Sequence, residues 1–185
     1  MGTYVVGDIH GCYDEWMELK NFIEEMDTDA RFILVGDIID RGPKVIEMIT
    51  WALDNIKPNS KYQMVLGNHE HMIINWANQY IGTNTSKNSQ VYLKFEDTNY
   101  DFKYQMSRIN ATDEFVKKII EFFKSLPLYI EHNIHISNNV QKYIISHAAF
   151  PCEAVNKKGD VELDLYKESK EIIEKKYSLE KKLLW

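Results

Sequence analysis

The sequence predicts an α/β domain built around a parallel sheet. Four short apolar, β-branched runs, Thr3 to Val6, Arg31 to Val35, Tyr62 to Leu66 and Tyr143 to Ile145, each end on residues able to do chemistry. Between the first three of them, apolar residues recur at the helical period. Strand, helix, strand, helix, strand implies parallel pairing through right-handed crossovers, which gathers functional side chains just beyond the carboxyl ends of the strands.

The first run leads through Gly7-Asp8 into a stretch that places Trp16, Leu19, Phe22, Ile23 and Met26 on one helical face and acidic residues on the other. The second run ends at Gly36-Asp37. Pro43 then stands where a first helical turn tolerates it, and Val45, Ile46, Ile49, Leu53 and Ile56 draw a second apolar stripe that Lys57-Pro58 stops. The third run ends at Gly67-Asn68 and opens a helix expected to reach Tyr80. Gly82 to Thr112 is polar, rich in Asn, Ser and Tyr, and weakly periodic; it reads as an insertion or substrate-side cap, at about 81–112, in a single domain spanning 1–185. Phe115, Ile119, Phe122 and Phe123 mark a further helix ended by Leu126-Pro127. A Glu- and Lys-rich stretch from Val161 to Lys182 reads as an amphipathic surface helix.

A chain of 185 residues with 44% hydrophobic content can bury one core and is short for two. It holds no apolar run long enough to span a membrane and no signal pattern, so a soluble, cytoplasmic protein is expected. Cys12 and Cys152 are far apart, which predicts reduced thiols rather than a disulfide framework. A net charge of -6 argues against nucleic acid as a partner, because phosphate backbones call for clustered Lys and Arg. A small phosphoester stays open, since bound metal ions can supply positive charge that the side chains lack.

Three clusters carry chemistry: Gly7-Asp8-Ile9-His10-Gly11, Gly36-Asp37-Ile38-Ile39-Asp40-Arg41-Gly42 and Gly67-Asn68-His69-Glu70. Asp8 and His10 can face one ion only if the backbone turns between them, which flanking glycines permit. Carboxylate, imidazole and amide oxygen together suit manganese, iron or zinc, and the lack of Cys ligands argues for an open, catalytic site rather than a closed structural one. Singly, Asp8, Asp37 and Asn68 could be ordinary helix caps, Asp40 and Arg41 a surface ion pair, and His147 an interior imidazole. Glu70 fits either a place behind the site or the cap of its own helix. His71, His132 and His135 lie outside the clusters and read as surface or structural.

Together and in this order, GDIHG, GDIIDRG and GNHE resemble the three signatures of the phosphoprotein phosphatase family of calcineurin-like metallophosphoesterases, in particular its bacterial and phage serine/threonine phosphatases and the symmetrical diadenosine tetraphosphatases. Ile144-Ile145-Ser146-His147-Ala148 is similar to the strand and metal-ligating His that follow in that family. The resemblance implies an α/β/β/α sandwich holding two divalent metal ions, manganese foremost, with iron and zinc as alternatives. It implies that Asp8 and His10 bind the first ion, that Asp37 bridges both, and that Asn68 and His147 bind the second. His69 would be the general acid, Asp40 would hold its imidazolium, and Arg41 would grip phosphate oxygens together with Asn68 and His69. Water activated between the ions would then attack phosphorus in line, with no phosphoenzyme.

The expected substrate is a phosphorylated protein or peptide or a small phosphoester, with a dinucleoside tetraphosphate as the alternative and a catalytically impaired binding module as a third reading. In that family the chain continues past a Leu-Leu-Trp segment to a phosphate-contacting Arg and a Gly-His-Thr segment with a further metal ligand. This sequence stops at Leu183-Leu184-Trp185, so the resemblance implies a C-terminally incomplete domain whose second metal binds less tightly.

Overall fold

The computed structural model describes residues 2–81, 102–136 and 139–148. Strands β1 (Thr3–Val6), β2 (Arg31–Leu34) and β3 (Tyr62–Met64) form a parallel sheet in the order β1-β2-β3, with Val6 opposite Leu34 and Leu34 opposite Met64. Helices α1 (Tyr13–Met26) and α2 (Val45–Asn55) are the crossovers, and α3 (Asn68–Ile81) follows β3. The predicted alternation is present, and it brings the ends of all three strands to one side.

Phe32 and Leu34 on β2 are fully buried, and an aromatic group welds the sheet to both crossover helices. Trp16 meets Phe32 and Trp51 edge-on at centroid distances of 5.7 and 5.0 Å, while Tyr62 stacks on Phe32 at 5.3 Å. Offset and edge-on pairs of this kind add to the area that each ring already buries. Next to the rings, the Glu24 carboxylate takes Lys20 at 2.7 Å, Lys61 at 2.7 Å and the Tyr62 hydroxyl, tying α1 to β3.

The sequence predicts Leu19, Phe22 and Met26 on the buried face of α1, and the structure corrects this. Trp16, Lys20 and Ile23 are the buried residues, whereas Leu19, Phe22 and Met26 are 44, 57 and 62% exposed. The helix is rolled so that Trp16 enters the aromatic group, and the same roll turns Lys20 inward, where its ion pair with Glu24 one turn on makes the burial tolerable.

Within the stretch expected to be an insertion, Phe102–Arg108 forms a short helix, α4, that buries Phe102 and Met106, and residues 82–101 lie outside the described residues. Helix α5 (Asp113–Ser125) starts on Thr112, whose side chain accepts the Phe115 N–H, and it buries Val116, Ile119, Ile120 and Phe123. The fourth apolar run belongs to β5 (Asn139–Ser146), which pairs antiparallel with β4 (Tyr129–Ile136) and stands apart from the parallel sheet. The two residues between β4 and β5 allow a hairpin and exclude the longer crossover that parallel pairing requires. Among the described residues no helix is long and apolar enough to cross a membrane. The expected helix over 161–182, and Cys152, lie outside the described residues.

Candidate metal centre

Each predicted site residue sits at or just past a strand end: Asp8 and His10 after β1, Asp37, Asp40 and Arg41 after β2, Asn68 and His69 at the start of α3, and His147 after β5. Getting there bends the backbone. His10, Asp37, Asp40 and Arg41 all have positive φ, at 47, 50, 66 and 64°, a region that L-residues rarely enter. Such turns persist where surrounding bonds over-determine them, and they cluster at functional sites. The bonds are present: Ile9 N–H and His10 N–H donate to the Asp37 carbonyl at 3.1 and 2.9 Å, and Gly11 N–H to that of Ile38 at 2.8 Å. At Gly42 a Cβ would overlap the His10 carbonyl, so only glycine lets the second loop cross the first.

Asp37 is the hub. Its carboxylate is 4% exposed, and Oδ2 lies 3.7 Å from His10 Nε2, 3.6 Å from His147 Nε2 and 3.9 Å from His69 Nε2. Asp8 reaches the same point from solvent, with Oδ2 3.8 Å from His10 Nε2 and Oδ1 3.9 Å from the His147 ring. Each imidazole gives its Nδ1 proton to another oxygen: His10 to the Ile39 carbonyl at 2.8 Å, His147 to the Val35 carbonyl at 2.8 Å, and His69 to Asp40 Oδ2 at 2.6 Å. A carbonyl can only accept, so in the neutral imidazole Nε2 of His10 and of His147 is a lone pair, facing carboxylate oxygens and, for His147, the Asn68 amide.

Lone pairs facing lone pairs need a cation between them. The buried His10 Nε2 has no hydrogen-bond partner, and its separations from Asp8 and Asp37 are too long for hydrogen bonds but suit two donors around one divalent ion. Asn68 repeats the pattern. Its amide oxygen lies 2.9 Å from His147 Nε2, and only with the amide turned over does its nitrogen donate, at 2.7 Å to Asp37 Oδ2. Turned over, the amide is a proton bridge between two acceptors; unturned, it is one more oxygen for an ion. The residues therefore fit a metal. Two overlapping sets of donors meet on Asp37, Asp8 with His147 and His10 with His69. Proximity thus pairs the partners of Asp37 differently from the expected division, while keeping Asp37 common to both.

The flank of the centre carries His69, Asp40 and the exposed Arg41. The hydrogen bond to Asp40 holds the His69 imidazole above its ordinary value; burial and the nearby Arg41 oppose this, and the Asp37 charge reinforces it. Arg41 Nη2 stands 3.3 Å from His69 Nε2 on the exposed side of the ring. The other oxygen of Asp40 accepts the Phe102 N–H at 2.5 Å, so α4 is tied to the same carboxylate. Glu70, fully buried, accepts three backbone N–H groups behind Asp37. Burial pushes its carboxyl up to about 7, and the Asp37 charge adds to that, against the pull of the backbone N–H groups of Asp37, Ile38 and Glu70 itself. The carbonyls of Val35 and Ile39, which orient the imidazoles, and the Phe102 N–H carry no sequence signal. Main-chain groups are the same at every position.

The calcineurin-like phosphoesterase family model matches residues 1–183. The chain belongs to that family. Among its similar relatives are the symmetrical bis(5'-nucleosyl)-tetraphosphatases of Buchnera aphidicola subsp. Baizongia pistaciae, 38% identical over 109 residues, and of Methylobacillus flagellatus, 37% identical over 90 residues. The first match covers 54% of this chain and 35% of the relative, the second 49% and 31%, so the matched stretch spans about a third of each relative's length. A solved protein serine/threonine phosphatase from Saccharomyces cerevisiae, with similarity to human phosphatase PP5, superposes with a TM-score of 0.53 at 18% identity, covering 99% of this chain and 48% of that one. That likeness places the chain in the metallophosphoesterase fold.

Proposed function

We propose that this calcineurin-like phosphoesterase chain carries a two-metal centre that hydrolyses phosphoester bonds by direct attack of water on phosphorus. The observation that carries the reading is the buried Asp37 carboxylate, ringed at 3.6–3.9 Å by three imidazole Nε2 atoms whose Nδ1 partners are already fixed. Two divalent ions, when bound, supply the charge that ionises a water and neutralises phosphate oxygens, and manganese, iron or zinc suits the mixed donor set. Asp8 and His10 would hold one ion and Asn68 and His147 the other, with Asp37 shared between them, the division that the motifs imply in place of the one that proximity alone gives.

His69 acts as the general acid. Asp40 fixes its ring through Nδ1 and favours its protonated form, which leaves Nε2 to deliver a proton to the departing oxygen. The Arg41 guanidinium at 3.3 Å from Nε2 disfavours a metal on that nitrogen, and its charge opposes the protonation that Asp40 and Asp37 favour. Arg41 itself is exposed, and its planar fork suits two phosphate oxygens, with Asn68 and His69 completing the grip.

Similarity to the two tetraphosphatases favours a dinucleoside tetraphosphate as substrate. Phosphoserine, phosphothreonine and aryl phosphates, placed first by the motifs, are the second reading, because the same acid and water serve them and Arg41 is open to a bulky phosphate carrier. Turnover of diadenosine tetraphosphate, a phosphothreonine peptide and an aryl phosphate, each with Mn2+, ranks them. Asp37→Asn is expected to abolish whichever activity is found; turnover undiminished by that change arises elsewhere and ends the proposal.

A further inference from the structure

We propose that Glu70 is a positioning residue, whose buried carboxylate clamps the Asp37 turn onto the start of α3 and so sets the spacing of the ligand-bearing loops. The inference rests on the metal-centre reading above and adds the part that holds it in register.

The turn at Asp37, with φ of 50°, points two successive N–H groups, those of Asp37 and Ile38, into one concavity. A concavity of this kind binds an anion. Here the group that fills it is internal, the Glu70 carboxyl. Glu70 Oε2 accepts from Asp37 N at 2.8 Å and from Gly67 N at 3.1 Å, and Oε1 accepts from Ile38 N at 2.9 Å. Capping its own helix requires only the Gly67 bond, in the manner of a capping box. The other two reach back 33 and 32 residues to a different loop, which a cap alone does not explain.

The clamp extends further. Asp37 Oδ1 accepts the His69 N–H at 3.0 Å, and the Asp37 carbonyl carries the N–H groups of Ile9 and His10. The first loop hangs on the second, and the second on Glu70. Gly67 makes the close approach possible, since a Cβ there would strike Asp37 and the Glu70 carboxylate together.

The test has two arms. In the metal-free wild type, amide exchange followed by NMR is expected to be slow at Gly67, Asp37 and Ile38; exchange as fast as in open loops overturns the clamp. Glu70→Gln keeps the shape but turns an NH2 toward a backbone N–H. Its Mn2+ dissociation constant, by calorimetric titration, is expected to rise about 10–100-fold, as for other outer partners of metal ligands. The EPR line shape of the bound Mn2+ should change while far-UV circular dichroism does not. A folded variant that binds Mn2+ as tightly as wild type, with an unaltered spectrum, overturns the proposal. If the variant does not fold, the wild-type amides decide. A wild type that binds no Mn2+ defeats the metal-centre reading instead, whatever the amides show.

Discussion

Asp40 serves two donors at once, His69 Nδ1 on one oxygen and the Phe102 N–H on the other. The first bond raises the folded-state value of His69, so the acid stays protonated to higher pH than a free imidazole would. A rate that depends on this proton falls as pH rises through the raised value. Asp40→Asn removes the raising charge, so the alkaline fall of kcat/KM is expected to begin at lower pH, with kcat down about 100-fold or more, as for loss of an effective acid. A pH–rate profile of the variant with an unmoved alkaline limb would show that Asp40 does not tune His69. At this scale most of the centre was legible, because Asp8, His10, Asp37, Asn68 and His69 announce themselves by residue type and spacing. What could not be read is how they are held. The positive φ falls on the neighbouring Gly11 and Gly36, as the sequence suggests, but also on His10, Asp37, Asp40 and Arg41 themselves, which it does not. The role of Gly42 is also invisible without its partner loop.

Among the elements, α1 shows where periodicity misleads. Its apolar stripe through Leu19, Phe22 and Met26 is read correctly as a stripe, but the demand of Trp16 for the Phe32 and Trp51 rings decides which face turns inward. The rolled helix is then held by Glu24. Burial pushes that carboxyl up, but hydrogen bonds from Lys20, Lys61 and Tyr62 outweigh it and lower it to about 2. A depressed carboxylate contributes stability that is full above its ordinary value of 4.5 and is lost as pH falls from there toward 2. Glu24→Gln is therefore expected to lower stability at neutral pH by about 1–2 kcal/mol. It should also flatten the decline between pH 4.5 and 2, as urea unfolding at several pH values would register. Strand β4 went unread for another reason. Glu131-His132-Asn133 breaks its run of apolar residues, and its pairing with β5, Tyr129 opposite Ser146, supplies what the local sequence lacks.

For the whole molecule, the α/β class and the parallel core follow from sequence because alternating helices and strands leave few ways to connect. The antiparallel placement of the fourth apolar run does not, since it depends on the unread strand beside it. The centre also bears on stability. Asp8, Asp37 and the imidazole nitrogens converge in two sets, each within 4.8 Å, so an ion that binds them only in the folded chain shifts the folding equilibrium. At 100 times its dissociation constant such an ion adds about 2.7 kcal/mol. Addition of Mn2+ is expected to raise the melting temperature of the chelated protein, and Asp37→Asn to remove that rise. An equal rise in the variant would place the stabilising ion elsewhere.

The chain of support from the Glu70 carboxylate through Asp37 to the Ile9 and His10 amides makes loops far apart in sequence depend on one another. The loop after β2 is held by the start of α3, and the loop after β1 is held by the loop after β2. A chain that has regained its helices without these long-range contacts is therefore expected to capture no ion.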